Sequence, residues 1–321
     1  MGKALSGSDD NKALSDFLRS RRARVTPEQV GVTPGGGRRV PGLRREEVAL
    51  SAGLSVDYYI RLERGRAANV SEAVLEAVAR ALRLDDAERA HLFNLARPQS
   101  AVGVSRSPVL RRVRPGAYAL LEALRDAPAM ILGHRLDILA LNLMARAVFV
   151  DFEAVPARER NLVRFMFLDP AARELFTDWD KAARMVVKGL HLYAGQYPND
   201  PQLAKLIDQL SDEDFHRWWA AHDVEEFSHG TRRYWHPLLG EVTLNYENLI
   251  FPGDSGQWLS LNMPEPGSQT SEALRFLADW INDPDTSVRA GSADGSGRLS
   301  DRQLQVYGKS FDAGRSTAGH A

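Results

Sequence analysis

The sequence predicts two folded units of different class: an all-α bundle of five short helices over residues 12–97, then an α+β domain over 115–282 that combines an antiparallel five-stranded sheet with a helical insert. Three observations carry this. Apolar residues between 12 and 97 recur at helical spacing. After Pro115 the texture changes to short β-type runs mixed with amphipathic stretches. The charge changes sign at the same place, with 20 Lys/Arg against 11 Asp/Glu in 12–114 and 20 against 29 in 115–321. A 44 % hydrophobic, 26 % charged chain of 321 residues is long enough to bury two cores. With no cysteine it offers neither a disulfide framework nor a thiolate metal site, which fits a reducing compartment. The opening MGKALSGSDDNKAL lacks the apolar run of a signal peptide, and no later apolar stretch is long enough to span a bilayer, so a cytoplasmic protein without membrane contact is expected. Three segments are too polar or glycine-rich to build a core: a flexible arm at 1–11, a linker at 98–114 and a disordered tail at 283–321.

The five helices follow in order. Leu14, Phe17 and Leu18 line the first; Val48, Ala49 and Ala52 the second; Tyr59 and Leu62 the third. Ser71 caps a fourth that lines up Val74, Leu75, Val78 and Leu82. Asp85, with Glu88 three residues on, gives a fifth a capping-box start before Leu92, Phe93 and Leu95.

In LRREEVALSAGLSVDYYIRLERGR, residues 43–66, one short helix stops at Gly53 and another restarts from Ser55. Glycine supplies the left-handed backbone of a tight turn, Leu54 drops into the core, and the Ser55 hydroxyl caps the next helix. This is helix-turn-helix spacing. The AGLS and LERG runs resemble the Cro/C1-type (XRE-like) helix-turn-helix family, in which the second helix enters the major groove of double-stranded DNA. The resemblance places Val56, Asp57 and Arg61 over base edges. Arg61 suits guanine O6 and N7, Asp57 can accept from cytosine N4, and Val56 offers apolar contact to a thymine methyl. Ser55, Arg45, Arg64 and Arg66 are expected at phosphates, with solvation as the alternative for Arg64 and Arg66. Upstream, Gly35, Gly36 and Gly37 precede Arg38 and Arg39 in a long basic loop, which either tracks the phosphate backbone or is an inert surface loop.

In the second unit Pro115 opens a helix, AMIL at 129–132 and DILALN at 137–142 form a hairpin pair, and helix resumes at Asn142, an order that resembles the opening of PAS-type sensor domains. TRRYWHP, GEVTLNYENLIF and QWLSLNMPEP supply three further strands, and SEALRFLADWI closes the unit. Between them runs the helical insert. Ser211 with Asp214 gives it a capping-box-like start, after which Phe215, Trp218, Trp219 and His222 fall on one face. That wall has two readings: a core helix, or a binding face for a small apolar ligand whose polar end meets His222 or Tyr234, with Tyr246 alongside.

PGLRREEVA, SVDYYIRLERGR, ERNLVRFMFLDPAAREL, FHRWWAAHDV and HGTRRYWHPLLGEVTLNYENL together resemble the MmyB-like transcription regulators, in which a Cro/C1-type head precedes a PAS-like ligand-binding domain. The resemblance implies a regulator with a small, fatty-acid-like effector and no cofactor. One short reading helix covers few bases, so a homodimer on an inverted repeat is expected. Two rivals stand beside it: a helix-turn-helix that serves as a protein-interaction module, and an enzyme or metal sensor built on His216, His222, His229 and His236. The spacings of the four histidines match no metal motif, and neither a glycine-rich phosphate loop nor a nucleophile elbow accompanies them, so catalysis is not expected.

Overall fold

Local capping sets the helix starts in the N-terminal half. Asn11 caps α1 (Lys12–Arg24) by accepting from Leu14 N at 3.0 Å, Ser55 caps α3 (Val56–Glu63), Ser71 caps α4 (Glu72–Ala81), and Asp85 with Glu88 closes a capping box on α5 (Asp86–Ala96). Between α1 and α3 lies α2 (Arg45–Ser51). These are the five helices the sequence predicts, and their buried residues, Phe17, Leu18, Leu43, Val48, Tyr59, Leu62, Leu75, Val78 and Leu92 among them, form one core. The computed structural model describes residues 11–31, 42–67, 69–97, 112–226, 228–252 and 256–282. The basic loop with Arg38 and Arg39, nearly all of the expected arm and linker, and the tail lie outside the described residues.

The chain divides into two units in an order the sequence does not announce. Described residues up to 97 group with 187–226, and 112–186 group with 228–282. The second half of the long helix α10 (Trp179–Gln196), together with α11 (Pro201–Asp208) and α12 (Glu213–Ala220), thus belongs with the N-terminal helices. Val224, just after α12, is part of their core. Arg21 and Arg24 of α1 donate to the carbonyls of His222 and Ala221, which directly follow α12. Helix C-termini leave such carbonyls unsatisfied, and cations stabilise them. The α12 cap itself is Asp212 rather than Ser211, because its carboxylate accepts from Phe215 N at 3.0 Å. The helix ends at Ala220, so His222 stands past it in a left-handed conformation, with φ 52°, and not on the helical face the spacing predicts.

Gly195 of α10 marks a close approach inside this unit: a Cβ there would collide with the His91 ring of α5. Gly195→Ala would gain about 1 kcal/mol of helix propensity, whereas overpacking against a buried ring costs about 1–3 kcal/mol. The expected net result is a lowered melting temperature. Calorimetry of Gly195→Ala in the wild-type and His91→Ala backgrounds checks this, since the penalty should shrink once the ring is gone.

In the second unit α6 (Pro115–Ala123) leads into β1 (Ala129–Leu132) and β2 (Ile138–Leu141), followed by α7 (Leu143–Val148), α8 (Leu162–Leu168), α9 (Ala171–Leu175) and the start of α10. Strands β3 (His229–His236), β4 (Gly240–Ile250) and β5 (Trp258–Pro264) and helix α13 (Gln269–Asn282) complete it. The sheet is antiparallel, in the order β2-β1-β5-β4-β3. It is the five-stranded α+β arrangement that the sequence predicts. Side chains alternate between its faces. Ala129, Ile131 and Leu259 pack with Ala117 and Leu121 of α6. On β3 and β4, Arg232, Tyr234, Val242, Leu244 and Tyr246 share a face. Asn142 joins three elements, its amide oxygen accepting from Ala129 N and Ala145 N while its nitrogen donates to the carbonyls of Leu124 and Ala127. No helix among the described residues is long and apolar enough to cross a membrane.

Candidate functional site

The turn between α2 and α3 is built as its residue types dictate. Gly53 is left-handed at φ 66°, and Ser55 Oγ accepts from Tyr58 N at 3.2 Å. One face of α3 is then fixed: Tyr59, Leu62 and Glu63 are all fully buried. The opposite face leaves Ser55, Val56, Asp57, Arg61 and Arg64 exposed, with the Arg61 guanidinium 5.7 Å from the Tyr58 ring centroid. Leu50, at the end of α2, is 79 % exposed, an apolar side chain beside the turn that the sequence pattern does not single out.

Glu63 anchors this helix. Its carboxylate accepts from Arg22 Nε of α1 at 2.5 Å and from Arg45 Nε of α2, so three helices meet at one buried anion. Arg22 also donates to Leu43 O at 2.8 Å. Arg45, expected at a phosphate, therefore has its guanidinium drawn toward α3, while Arg66 is exposed just past the end of that helix.

The six residues expected around a ligand fall into two groups. Phe215, Trp218, Trp219 and His222 belong to the unit that contains α1 and α5. There Phe215 is fully buried, Trp219 stacks on the His191 ring at 3.7 Å, and the His191 Nε2 meets the Trp219 carbonyl at 2.7 Å. His222 lies 5.3 Å from His191, and His91 packs edge-on to Phe17 at 5.0 Å. Burial holds His91 down to about 3 and His191 to about 4, with nearby positive charge adding to both, and burial lowers His222 as well. The buried Nδ1 of His91 has no hydrogen-bond partner. Arg21, also buried, pairs with Glu88 at 3.1 Å and Asp223 at 3.3 Å.

Tyr234 and Tyr246 lie in the other unit, on either side of Arg232. Tyr234 is wedged between the rings of Phe149 at 4.9 Å and Phe176 at 5.2 Å, and burial pushes its phenol up while the nearby Arg232 opposes the rise. The Arg232 guanidinium sits 4.2 Å over the Tyr246 ring. Gly230 makes room for that tyrosine, since a Cβ there would come within 2.7 Å of its hydroxyl. A cleft opens here, lined by Phe176, Asp178, Lys181, Met185, Arg232 and Arg233 among others. None of Arg232, Met185 or Phe176 is signalled by the sequence.

The four clustered histidines are divided between the two units. His216 is exposed on α12, His222 follows that helix, and His229 and His236 stand at opposite ends of β3, the last buried against the Ala147 carbonyl at 3.1 Å. No three His, Asp or Glu side chains among the described residues are placed to hold a metal ion.

Two family models match. Residues 113–277 match the ligand binding domain of MmyB-like transcription regulators, and residues 13–92 match a helix-turn-helix domain. No curated protein matches the chain.

Proposed function

Because the chain belongs to the family of MmyB-like transcription regulators, we propose that it is a sequence-specific DNA-binding regulator that reads an inverted repeat as a homodimer and responds to a small apolar, fatty-acid-like effector. The observation that carries the DNA half is the capped, core-anchored α3 with Val56, Asp57, Arg61 and Arg64 exposed along one side. Arg61 reads guanine, Val56 and Asp57 contact neighbouring bases, and Ser55, Arg64, Arg66 and the free edge of Arg45 meet phosphates. The functional domains are the helix-turn-helix of 12–97 and the ligand-binding domain of 115–282, and the setting is the cytoplasm, in keeping with a DNA partner and a chain without cysteine.

Operator selection from random duplexes, followed by binding of variants, tests the reading. Arg61→Ala is expected to lose discrimination worth about 1–3 kcal/mol, a factor of about 5 to 150, while keeping weak, salt-sensitive binding. Arg64→Ala should weaken all duplexes alike. An Arg61→Ala protein that loses affinity equally on every sequence would not be missing a base contact.

A further inference from the structure

Two tyrosines stand side by side on α3, and the helix gives them different places. Tyr59 is fully buried in the core, whereas Tyr58 is half-buried on the flank between the buried face and the exposed one. About one turn on from Tyr58, the Arg61 guanidinium lies 5.7 Å from its ring centroid, within the range at which a cation is attracted to the face of a ring. The Tyr58 hydroxyl has no hydrogen-bond partner among the described residues.

A ring covers the flat face of a guanidinium, whereas a carboxylate takes its edge, where the five donors lie. Asp57 stands four residues before Arg61, a spacing at which acidic and basic side chains pair on a helix, yet no ion pair joins the two among the described residues. Helix α12 shows the other outcome. There Arg217 also lies near a ring, that of Trp218 at 5.5 Å, but Asp214 takes its donors. Arg64, just past the end of α3 and also exposed, has neither a ring nor a carboxylate beside it among the described residues. Of the two arginines, Arg61 is the one approached on its face and left open at its edge. Reading guanine requires that edge to lie in register with O6 and N7. A free arginine samples many rotamers, and fixing one of them in the groove is an entropic loss at the moment of binding. A ring that narrows the set beforehand reduces this loss without using a donor.

We infer that Tyr58 is a positioning residue for base recognition: its ring holds the plane of the Arg61 guanidinium and leaves the donor edge turned to the DNA, while its hydroxyl takes no part. This rests on the reading of Arg61 as the guanine contact and adds the residue that sets its geometry.

The test uses the full chain on its selected operator and on the same duplex altered at the base pair where Arg61→Ala loses discrimination. Tyr58→Leu, which keeps an apolar body and removes the ring, should lower discrimination at that pair about two- to fivefold, the scale of one exposed cation–π contact. Affinity for random duplexes and the dependence of binding on salt should stay as in the wild type, because no phosphate contact is lost. Tyr58→Phe should retain full discrimination. In an Arg61→Ala background Tyr58→Leu should change nothing at that pair. Equal loss on all duplexes, an effect that persists without Arg61, or a Tyr58→Phe protein as impaired as Tyr58→Leu would overturn the platform. If Arg61→Ala loses discrimination and Tyr58→Leu does not, the platform alone falls and the base contact stands. If Arg61→Ala keeps full discrimination, both fall.

Discussion

Glu63→Ala is expected to destabilise the N-terminal unit by about 3–5 kcal/mol, the usual cost of removing one partner from a buried ion pair. The carboxylate is fully buried and holds Arg22, itself only 17 % exposed, and Arg45. Truncation leaves the Arg22 charge in the protein with, among the described residues, the Leu43 carbonyl to accept from it. Water can reach Arg45 more easily, so the larger part of the loss comes from Arg22. Because the same carboxylate fixes α3 against α1 and α2, operator affinity should fall with stability. Glu63→Gln, which keeps the shape and one acceptor, should lie between. Denaturant unfolding followed by tryptophan fluorescence measures this, since Trp218 and Trp219 both lie in the affected unit. A Glu63→Ala protein within about 1 kcal/mol of wild type would show that apolar packing alone holds the three helices together.

Acidification from pH 7 to pH 5 is expected to remove about 4 kcal/mol more from the same unit. In the folded chain His91 titrates at about 3 and His191 at about 4, against 6.5 for the free side chain. The unfolded chain therefore takes up protons first. The stabilisation is complete above pH 6.5 and is lost progressively as pH falls toward the folded values. Each unit of pH below the free value costs about 1.4 kcal/mol per histidine, so each contributes about 2 kcal/mol at pH 5. His222, lowered in the same direction but more exposed, adds a smaller amount. Equilibrium unfolding at the two pH values, repeated on His91→Gln, gives the test: the variant should lose about half of the pH dependence. A wild-type protein equally stable at pH 5 and pH 7 would mean that water reaches these rings in solution.

What was legible in the sequence was local. The stop at Gly53, the cap at Ser55 and the box at Asp85 and Glu88 are each written within four residues of chain, so α2, α3 and α5 could be placed before any tertiary contact was known. The five strands were legible for the same reason, with the turn at Gly240 and the restart at Asn142 marking their limits. What packs against α12 was not legible. An aromatic stripe looks the same whether a ligand or another helix covers it, and the residues that decide, Arg21 with Asp223 and His91 beside Gly195, are separated by about 200 and about 100 positions. The contact of Arg232 with the Met185 sulfur was hidden likewise, because Met185 lies 47 positions upstream and carries no polar signature. The Arg22 and Arg45 pairing with Glu63 was missed because basic residues beside a reading helix are equally suited to phosphates.

The grouping of residues 187–226 with the first five helices has a consequence for how the protein is made. A ribosome finishes Arg97 well before Glu226, and at about 5–20 residues per second the interval is on the order of ten seconds. During that time the α1 and α5 surface that will receive His191, Gly195 and Val224 is open to water or to chaperones, with Arg21 and His91 still hydrated. Although α3 is synthesised early, the helix-turn-helix unit reaches its final packing only after most of the sheet unit's first segment has already left the ribosome.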